Sequence, residues 1–207
     1  MKRTFDLLFS LVGLALFFPL LLIVAVLVKL DSQGPILFRQ RRVGRNGRPF
    51  WILKFRTMIS ASNLPRPAIT VGDDPRITRA GRLLRQTKID ELPQLINVLQ
   101  GDMSFVGPRP ELIEYVLLYP EEFREILQMR PGITDLASLK YRDEAALLAH
   151  FPNPEEAYRK KILPDKIRLA QEYGRRSSFL FDMGVLLKTA FAVLNVRKHS
   201  AQNCVQL

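Results

Sequence analysis

The chain has 207 residues, 47% of them hydrophobic, and a formal net charge of +11 from 31 basic and 20 acidic residues. Its single cysteine, Cys204, excludes an intramolecular disulfide and a cysteine metal cluster, and its two histidines make a multi-histidine metal site an unfavourable expectation. The basic excess suits a polyanionic partner such as nucleic acid, an anionic membrane surface or a phosphorylated substrate. A solvated basic surface would have the same composition.

An uncharged run from Leu7 to Val28 predicts a membrane anchor over residues 1–30. As a helix, this run would be roughly 33 Å long at about 1.5 Å per residue, enough to cross a bilayer. Basic residues lie on both sides of it, and basic flanks favour the cytoplasmic face. Pro19, near the middle, removes a backbone hydrogen bond and is a candidate bend. We therefore predict a re-entrant membrane helix that breaks at Pro19, with an ordinary transmembrane helix as the alternative.

Residues 31–207 are predicted to form one cytoplasmic domain. Two candidate strands, 36–43 and 49–58, flank Asn46-Gly47, a strong β-hairpin signal. Alternation along the second run predicts an apolar face and an opposite, solvated face that carries basic residues; the apolar face holds Trp51, Leu53 and Phe55, and the basic face holds Lys54 and Arg56. The segment 59–71 has the prolines and small polar residues of a loop.

Several short helices are predicted downstream, together with a strand at "DMSFV". The last helix is expected to be capped by Asp182 and carries an apolar stripe from Met183 to Leu194, which suits either a membrane surface or the core. The predicted fold class is therefore α+β: a re-entrant membrane helix, followed by a mainly helical domain with a small β-hairpin or sheet and amphipathic surface helices.

An acid pair, Asp90-Glu91, lies in a basic neighbourhood. Its position suggests that Asp90 caps the helix that follows, which would be a sufficient structural role. Nearby cations are expected to keep Asp90 ionised, with a pKa below the usual value of about 3.9; they are Arg82, Arg85 and Lys88. Arg109 follows in a Pro-Arg-Pro loop, where a restrained guanidinium can bind a phosphate through two hydrogen bonds.

Carboxylates among cations are what a divalent metal and a diphosphate require, because Mg²⁺ takes one or two carboxylates and shares phosphate oxygens. An ionised aspartate can also attack phosphorus and form an acyl phosphate. Adjacent helical residues point about 100° apart. The pair is therefore expected to divide its roles between one nucleophile and one metal ligand.

Three segments carry a resemblance to a known family: "FRQRRVGRNGRPFWILKFRTM", "DDPRITRAGRLLRQTKIDELPQLINVLQGDMSFVGPRPE" and "RPGIT". They resemble the bacterial sugar transferases, monotopic polyprenyl-phosphate phosphoglycosyl transferases, in their minimal catalytic form. The resemblance implies a ping-pong reaction in which an aspartate attacks the β-phosphate of a UDP-sugar, releases UMP, and then passes the phosphosugar to undecaprenyl phosphate. It also implies a re-entrant anchor, although Phe18 stands where many members have serine before the proline.

The same resemblance assigns roles to residues of this chain. It implies that Asp90 is the nucleophile and Glu91 the Mg²⁺ ligand, with Asp90 also near the metal, and that Arg109 grips a phosphate. Lys54 and Arg85 match other cationic positions of the site. Two further candidates, Tyr141 and Arg142, lie after "PGIT", where the chain departs from the common family pattern. They are expected either to contact the sugar nucleotide or to be surface residues.

The implied partners are a UDP-sugar, undecaprenyl phosphate and anionic lipids, with a homo-oligomer and downstream glycosyltransferases as further candidates and no nucleic acid. The implied location is the cytoplasmic face of the bacterial inner membrane, at the first membrane step of glycoconjugate or exopolysaccharide biosynthesis. Two alternatives remain from the residues alone: a membrane-tethered basic binding protein and an inactive scaffold.

Overall fold

The computed structural model describes residues 1–59, 69–72 and 74–195, so most of the loop predicted at 59–71 lies outside the described residues. Within these ranges the chain is mostly helical with two small sheets, as predicted. The α-helices are α1 Lys2–Asp31, α2 Arg79–Thr87, α3 Gln94–Gln100, α4 Ile113–Val116, α5 Pro120–Ile126, α6 Leu136–Lys140, α7 Glu144–Leu148, α8 Pro154–Ala157, α9 Leu163–Arg176 and α10 Phe179–Leu194. The strands are β1 Leu37–Val43, β2 Pro49–Phe55, β3 Ser104–Val106 and β4 Gly132–Thr134.

Strands β1 and β2 form the predicted antiparallel hairpin, with Leu37 opposite Phe55 and Val43 opposite Pro49. Its connection uses Asn46 and Gly47 at positive φ, as an Asn-Gly turn requires. The predicted solvated basic face was wrong, because Arg56 is buried, although Phe55 on the predicted apolar face is buried too. Trp51 is 54% exposed, whereas the alternate residues Phe50 and Ile52 are buried against α3 and the residues after it. The face that carries the basic residues is therefore turned toward the domain.

Strands β3 and β4 pair in parallel, and two glycines allow their ends to meet at backbone contact. A Cβ atom on Gly107 would lie 2.3 Å from the carbonyl oxygen of Arg130. One on Gly132 would lie 2.2 Å from the amide nitrogen of Gly107. Because no side chain fits at that distance, the glycines explain why the "GPRP" and "RPGIT" segments lie side by side.

The largest core cluster packs α4, α5 and α7 against α8 and α9, with Tyr115, Tyr158, Leu148 and Leu163 at its centre. A single π-helical turn, Tyr158–Ile162, joins α8 to α9. Such turns rotate side chains out of regular α-helical register. This one lies beside the segment that follows the Pro-Arg-Pro loop.

The last helix begins differently from the prediction. Ser178, rather than Asp182, caps α10 by accepting a hydrogen bond from the backbone N–H of Phe181. Asp182 is buried one turn further on, where it accepts a hydrogen bond from Tyr173. One face of α10 joins a core cluster through Val185.

The opposite face of α10 is apolar and exposed; it consists of Leu180, Leu187, Phe191 and Leu194. Core packing of this helix is therefore confirmed for one face, and contact of the other face with a membrane surface stays a prediction.

Helix α1 is long and apolar enough to cross a membrane, with a window of mean hydropathy 3.1. The helix continues through Pro19 without interruption, so the predicted break at that residue was wrong, and the re-entrant course of the anchor stays a prediction. Both of its ends contact the same domain. Near the N-terminus, Arg3 donates to the carbonyls of Val98 and Leu99 at the end of α3. Near the C-terminus, Val24 and Val28 pack with Phe55 and Leu84.

Candidate active site

The acid pair lies in a 3₁₀ turn, Ile89–Glu91, between α2 and α3. Lys88 precedes it in the left-handed conformation, with φ 59°, and ends α2. Asp90 makes no capping hydrogen bond, so its predicted role as a helix cap was wrong. The backbone stays helical through Leu92 and Pro93 into α3. The turn thus presents its two carboxylates in different directions, just before the first turn of a helix.

Glu91 is held by two cations. Its Oε1 atom accepts a hydrogen bond of 2.6 Å from Lys54 Nζ and one of 2.8 Å from Arg109 Nη2. Lys54 reaches it because β2 turns its basic face inward. Burial alone would raise the pKa of Glu91, but the charges of Arg109 and Lys54 hold it well below the usual range. Glu91 is therefore a fixed carboxylate, and the same pairing raises the pKa of Arg109.

Asp90 is in a contrasting environment. It is buried, and its Oδ1 atom has no hydrogen-bond partner among the described residues. Burial raises the pKa of Asp90, and the opposing charge of Lys54 does not offset this. The prediction of a pKa below the usual value was wrong, because desolvation in the folded chain outweighs the neighbouring cations. A buried acceptor without a donor is costly unless a further group reaches it.

Arg85 is fixed next to the pair by α2. Its Nε atom donates to Thr57 Oγ1 at 2.9 Å. The helix can approach Thr57 this closely because position 81 is glycine, where a Cβ atom would lie 2.2 Å from the Thr57 carbonyl oxygen. Arg85 contributes to the electrostatics of Asp90 without bonding to it.

The loop that carries Arg109 is held by backbone bonds and buried acids. Asp135, which is almost completely buried, accepts a hydrogen bond from the backbone N–H of Arg109 at 3.0 Å. Its other oxygen caps α6 by accepting from the Ser138 N–H. Arg42 donates to the Pro110 carbonyl from the hairpin side. The Arg109 guanidinium is thus directed at Glu91 by partners on both sides of the loop.

Glu111, the residue after this loop, lies in a second buried cluster of charged side chains. It accepts hydrogen bonds from Tyr158, which sits in the π-helical turn, and lies 3.7 Å from Arg42 and 3.8 Å from Lys166. Lys166 also pairs with Glu144. Burial together with Glu111 raises the pKa of Tyr158 well above its usual value. The cluster anchors the loop to α9.

The structure brings together Asp90, Glu91, Lys54 and Arg109, with Arg85 beside them, and gives the other two candidates separate partners. Tyr141 donates a hydrogen bond of 2.7 Å to Asp165 on α9. Arg142 donates to the carbonyl of Ala192 on α10. Both therefore join α6 and the segment after it to the C-terminal helices, and their predicted contact with a sugar nucleotide stays a prediction.

Gln94 was missed by the sequence reasoning. It is completely buried four residues after Asp90, on the same helical face, and neither of its amide atoms has a partner among the described residues. Asn97, one turn further, is bonded to the backbone of Trp51 and Leu53. The available signal was a row of polar residues, 90, 94 and 97, at helical spacing beneath a strand.

These residues fit a Mg²⁺ ion that shares its coordination with a bound phosphate. Both cations contact Glu91 through Oε1, so Oε2 forms no hydrogen bond among the described residues, and Asp90 Oδ1 is free of partners there. Within the same ranges, no group of three or more acidic, histidine or cysteine side chains forms a metal site. Two carboxylates plus phosphate oxygens would satisfy the preference of Mg²⁺ for hard oxygen ligands and waters.

The fold and site combine a helix apolar enough to cross a membrane with a carboxylate pair beside two cations, and comparison with known proteins identifies the family. The model of the bacterial sugar transferases matches residues 1–196. The chain therefore belongs to the bacterial sugar transferase family, as the sequence motifs predicted.

Three curated relatives illustrate the similarity. The UDP-glucose:undecaprenyl-phosphate glucose-1-phosphate transferase of Caulobacter vibrioides is 49% identical over 67% of this chain and 53% of its own length. The transferase of the same name from Escherichia coli K12 is 36% identical over 92% of this chain and 39% of its own. Exopolysaccharide production protein ExoY of Rhizobium meliloti is 38% identical over 93% of this chain and 84% of its own length. The chain thus spans about half or less of the length of several relatives and most of the length of others.

Proposed function

We propose that this chain transfers a sugar-1-phosphate from a UDP-sugar to undecaprenyl phosphate at the start of exopolysaccharide or glycoconjugate synthesis. Family membership and the printed names of the relatives support the substrate class. One observation supports the mechanism most strongly. Of two adjacent carboxylates, Glu91 is fixed by Lys54 and Arg109, whereas Asp90 keeps an oxygen without a partner among the described residues.

In the first proposed step, an Asp90 oxygen attacks the β-phosphorus of the UDP-sugar. A bond forms between that oxygen and phosphorus, and the bond from the β-phosphorus to the bridging oxygen breaks. UMP leaves with the electron pair, and the phosphosugar remains on Asp90 as an acyl phosphate. Arg109 offsets the charge of the phosphate oxygens, since a guanidinium can bind them in two-point geometry. Lys54 adds a second positive charge next to the same carboxylate pair.

In the second step, a phosphate oxygen of undecaprenyl phosphate attacks the same phosphorus. The bond to Asp90 breaks, which restores the carboxylate and produces a polyprenyl-diphosphate sugar. Mg²⁺, when bound to Asp90 and Glu91, supplies positive charge that lets an anionic nucleophile approach an anionic phosphate. Burial favours the neutral form of Asp90. The cations around the site act in the opposite direction and favour the ionised form that attacks phosphorus.

The proposal is tested by a screen of UDP-sugars for UMP release, using the full chain with Mg²⁺, detergent and undecaprenyl phosphate. Donor alone should label Asp90 with one phosphosugar, detectable by mass spectrometry, and Asp90→Asn should abolish both the label and turnover. Arg124→Gln, a change on the exposed surface of α5, is the matched control and should retain both. A fully active Asp90→Asn variant would contradict the mechanism. Absence of turnover with every donor, accompanied by lipid or nucleic-acid binding, would instead favour a binding protein or scaffold.

We also propose that α1 is a re-entrant anchor that keeps the domain on the cytoplasmic face of the inner membrane. Its support is the contact of both helix ends with one domain. Arg3 bonds the end of α3, and Arg56 donates to the carbonyls of Val28 and Ser32 at the other end of α1. A helix that crossed the bilayer would place those ends on opposite sides of the membrane. One compact domain on one face could not then contact both.

Sidedness can be measured with single cysteines in a Cys204→Ser background. Thr4→Cys and Leu30→Cys occupy exposed positions near the two ends of α1. In sealed right-side-out and inverted vesicles, both positions should react with an impermeant maleimide only when the cytoplasmic face is accessible. Labelling from opposite faces would show a transmembrane helix and would exclude the re-entrant anchor.

A further inference from the structure

A second basic site lies at the opposite end of α3 from the acid pair. Arg45, Arg48 and Arg130 line a cavity of about 270 Å³, which we call the arginine pocket. Its walls also include Gly101, which ends α3, whereas Asp90 lies just before the start of that helix. Seven residues of α-helix separate the two regions, about 10 Å of axial length. None of the residues assigned to the candidate active site lines this cavity.

The positive charge of the pocket is not balanced by ion pairs. Within the described ranges, no carboxylate lies within 4 Å of these three guanidinium groups. Asp102 is the one acidic residue of the lining. Among the described residues, the Arg45 side chain bonds only a neutral carbonyl, that of Gln128. Burial, followed by the charges of Arg3 and Arg45, lowers the pKa of Arg130, as expected for like charges held close together.

The pocket also lies where the anchor enters the domain. An adjoining cavity of about 400 Å³ shares Arg45 and Arg130, and its lining includes Met1, Lys2 and Arg3. These three residues precede the apolar part of α1, so they mark the level at which the chain meets the membrane surface. At about 270 Å³, the pocket lies just below the range of about 300–1,000 Å³ typical of drug-sized ligands. It therefore suits a compact anion.

We propose that the arginine pocket binds the phosphate of an anionic glycerophospholipid headgroup beside the anchor. Planar guanidinium groups form two-point hydrogen bonds with phosphate oxygens, and three arginines line this one cavity. The lipid would fix the N-terminal half of α1 against the domain and so set the orientation of the domain on the membrane. Inorganic phosphate has the same oxygen chemistry, and the test includes it as a separate arm.

The test uses the full chain in a non-ionic detergent and three probes: dihexanoyl phosphatidylglycerol, dihexanoyl phosphatidylcholine and inorganic phosphate. Native mass spectrometry counts bound lipid, and thermal shift gives the affinity of each probe. Phosphatidylglycerol should bind with one-to-one stoichiometry and more tightly than the other two probes. Arg48→Gln and Arg130→Gln should each weaken it about five-fold, the equivalent of about 1 kcal/mol per basic residue at a lipid surface.

Control variants distinguish binding at the arginine pocket from a general effect of the protein's positive charge. Arg124→Gln removes the same charge from the exposed surface of α5 and should change the affinity less than two-fold. Arg48 is exposed, so its variant reports on binding even if Arg130→Gln folds poorly. Equal binding of phosphatidylcholine, or wild-type affinity in the Arg48 variant, would overturn the proposal. Inorganic phosphate binding as tightly as the anionic lipid would overturn the assignment to a lipid. None of these readouts depends on sugar transfer.

Discussion

Adjacent carboxylates 90 and 91 experience opposite electrostatic conditions. Glu91 is ionised by its two cations, and Asp90 is buried with an unpartnered oxygen among the described residues. A carboxylate fixed in this way, as Glu91 is, suits the neutralisation of nearby positive charge and the binding of a metal ion. A residue whose oxygen has no protein partner suits attack on an incoming phosphate.

We expect amide substitutions to separate these roles. Glu91→Gln should lower the free energy of unfolding by about 1.5–3 kcal/mol, because Lys54 and Arg109 lose a charged partner in a buried site. Asp90→Asn should leave stability unchanged or raise it, since burial already disfavours the charged form. Thermal unfolding of both proteins in detergent without Mg²⁺ measures the difference. Equal destabilisation by the two substitutions would contradict this division.

Sequence motifs were sufficient to predict which residues meet at the site. They were not sufficient to predict the direction in which the pKa of Asp90 is shifted. Lys54, Glu91 and Arg109 are 37 and 18 residues apart along the chain, and they converge as the motif resemblance implied. The raised pKa of Asp90 was not predictable from its neighbours in sequence, because desolvation depends on packing by β2 and α2. Gln94 was missed for the same reason, since its burial is a tertiary property.

At the scale of elements, Asp135 joins two of them. It caps α6 and holds the backbone of the Pro-Arg-Pro loop. Asp135→Ala should lower stability by about 1 kcal/mol through the lost cap. It should also lower kcat for UMP release, because the Arg109 loop loses one of its anchors. Asp135→Asn keeps only one of the two oxygens that accept these hydrogen bonds, so it should recover the two values only in part. Wild-type kcat in the alanine variant would show that the loop needs no such anchor.

The pairing of α6 with α9 predicts an acid-dependent contribution to stability. Burial alone would raise the pKa of Asp165, but hydrogen bonds from Lys140, Tyr141 and Arg168 lower it to about 2. A lowered pKa stabilises the fold above the unfolded value of about 3.9, and this stabilisation is lost as the pH falls toward 2. Asp165→Asn should therefore cost about 1 kcal/mol at pH 7, because solvent screens its partly exposed partners, and progressively less below pH 4.

Denaturant unfolding of wild type and variant between pH 2 and pH 7 measures this dependence. Glu121→Gln, which removes one partner of an exposed ion pair on α5, is the control and should show little pH-dependent difference. A constant difference between wild type and Asp165→Asn across this range would show that the carboxylate contributes through packing alone.

The hairpin shows what periodicity can and cannot predict about an element. Alternation along β2 predicted two faces, and Asn46-Gly47 predicted the turn. Which face is buried depends on what packs beneath it. Here Met103 and Val98 accept Phe50 and Ile52, while Lys54 on the same face is satisfied by Glu91. The inward face therefore combines apolar residues with a cation whose partner is distant in sequence, which alternation along one strand could not predict.

At the scale of the whole molecule, a polar cluster docks the start of α1 onto the domain. Lys2 contacts Asp182 at 2.7 Å and donates to Tyr173 and to the Val106 carbonyl. We expect Asp182→Asn to weaken this attachment, because the charge is lost while the oxygen that accepts from Tyr173 remains. Stability should fall by about 1.5–3 kcal/mol.

Trypsin cleavage after Lys2 and Arg3 should also become faster in the Asp182→Asn variant, as the N-terminal turn opens more often. Asp31→Asn is the matched control at the other end of the helix. Asp31 accepts one exposed hydrogen bond, from the backbone of Ala80, and its substitution should change neither quantity greatly. Unchanged cleavage in the Asp182 variant would show that apolar contacts alone hold the helix.

The packing of Val24 and Val28 against Phe55 and Leu84 has a practical consequence for protein production. Removing α1 would uncover these two partners beside the basic hairpin and leave the Arg56 guanidinium without the Val28 carbonyl that it binds. A truncated chain starting after Asp31 would therefore aggregate rather than yield a soluble enzyme, and the exposed apolar row of α10 would add to that tendency. Biochemical work on this protein needs its first thirty residues as part of the catalytic unit.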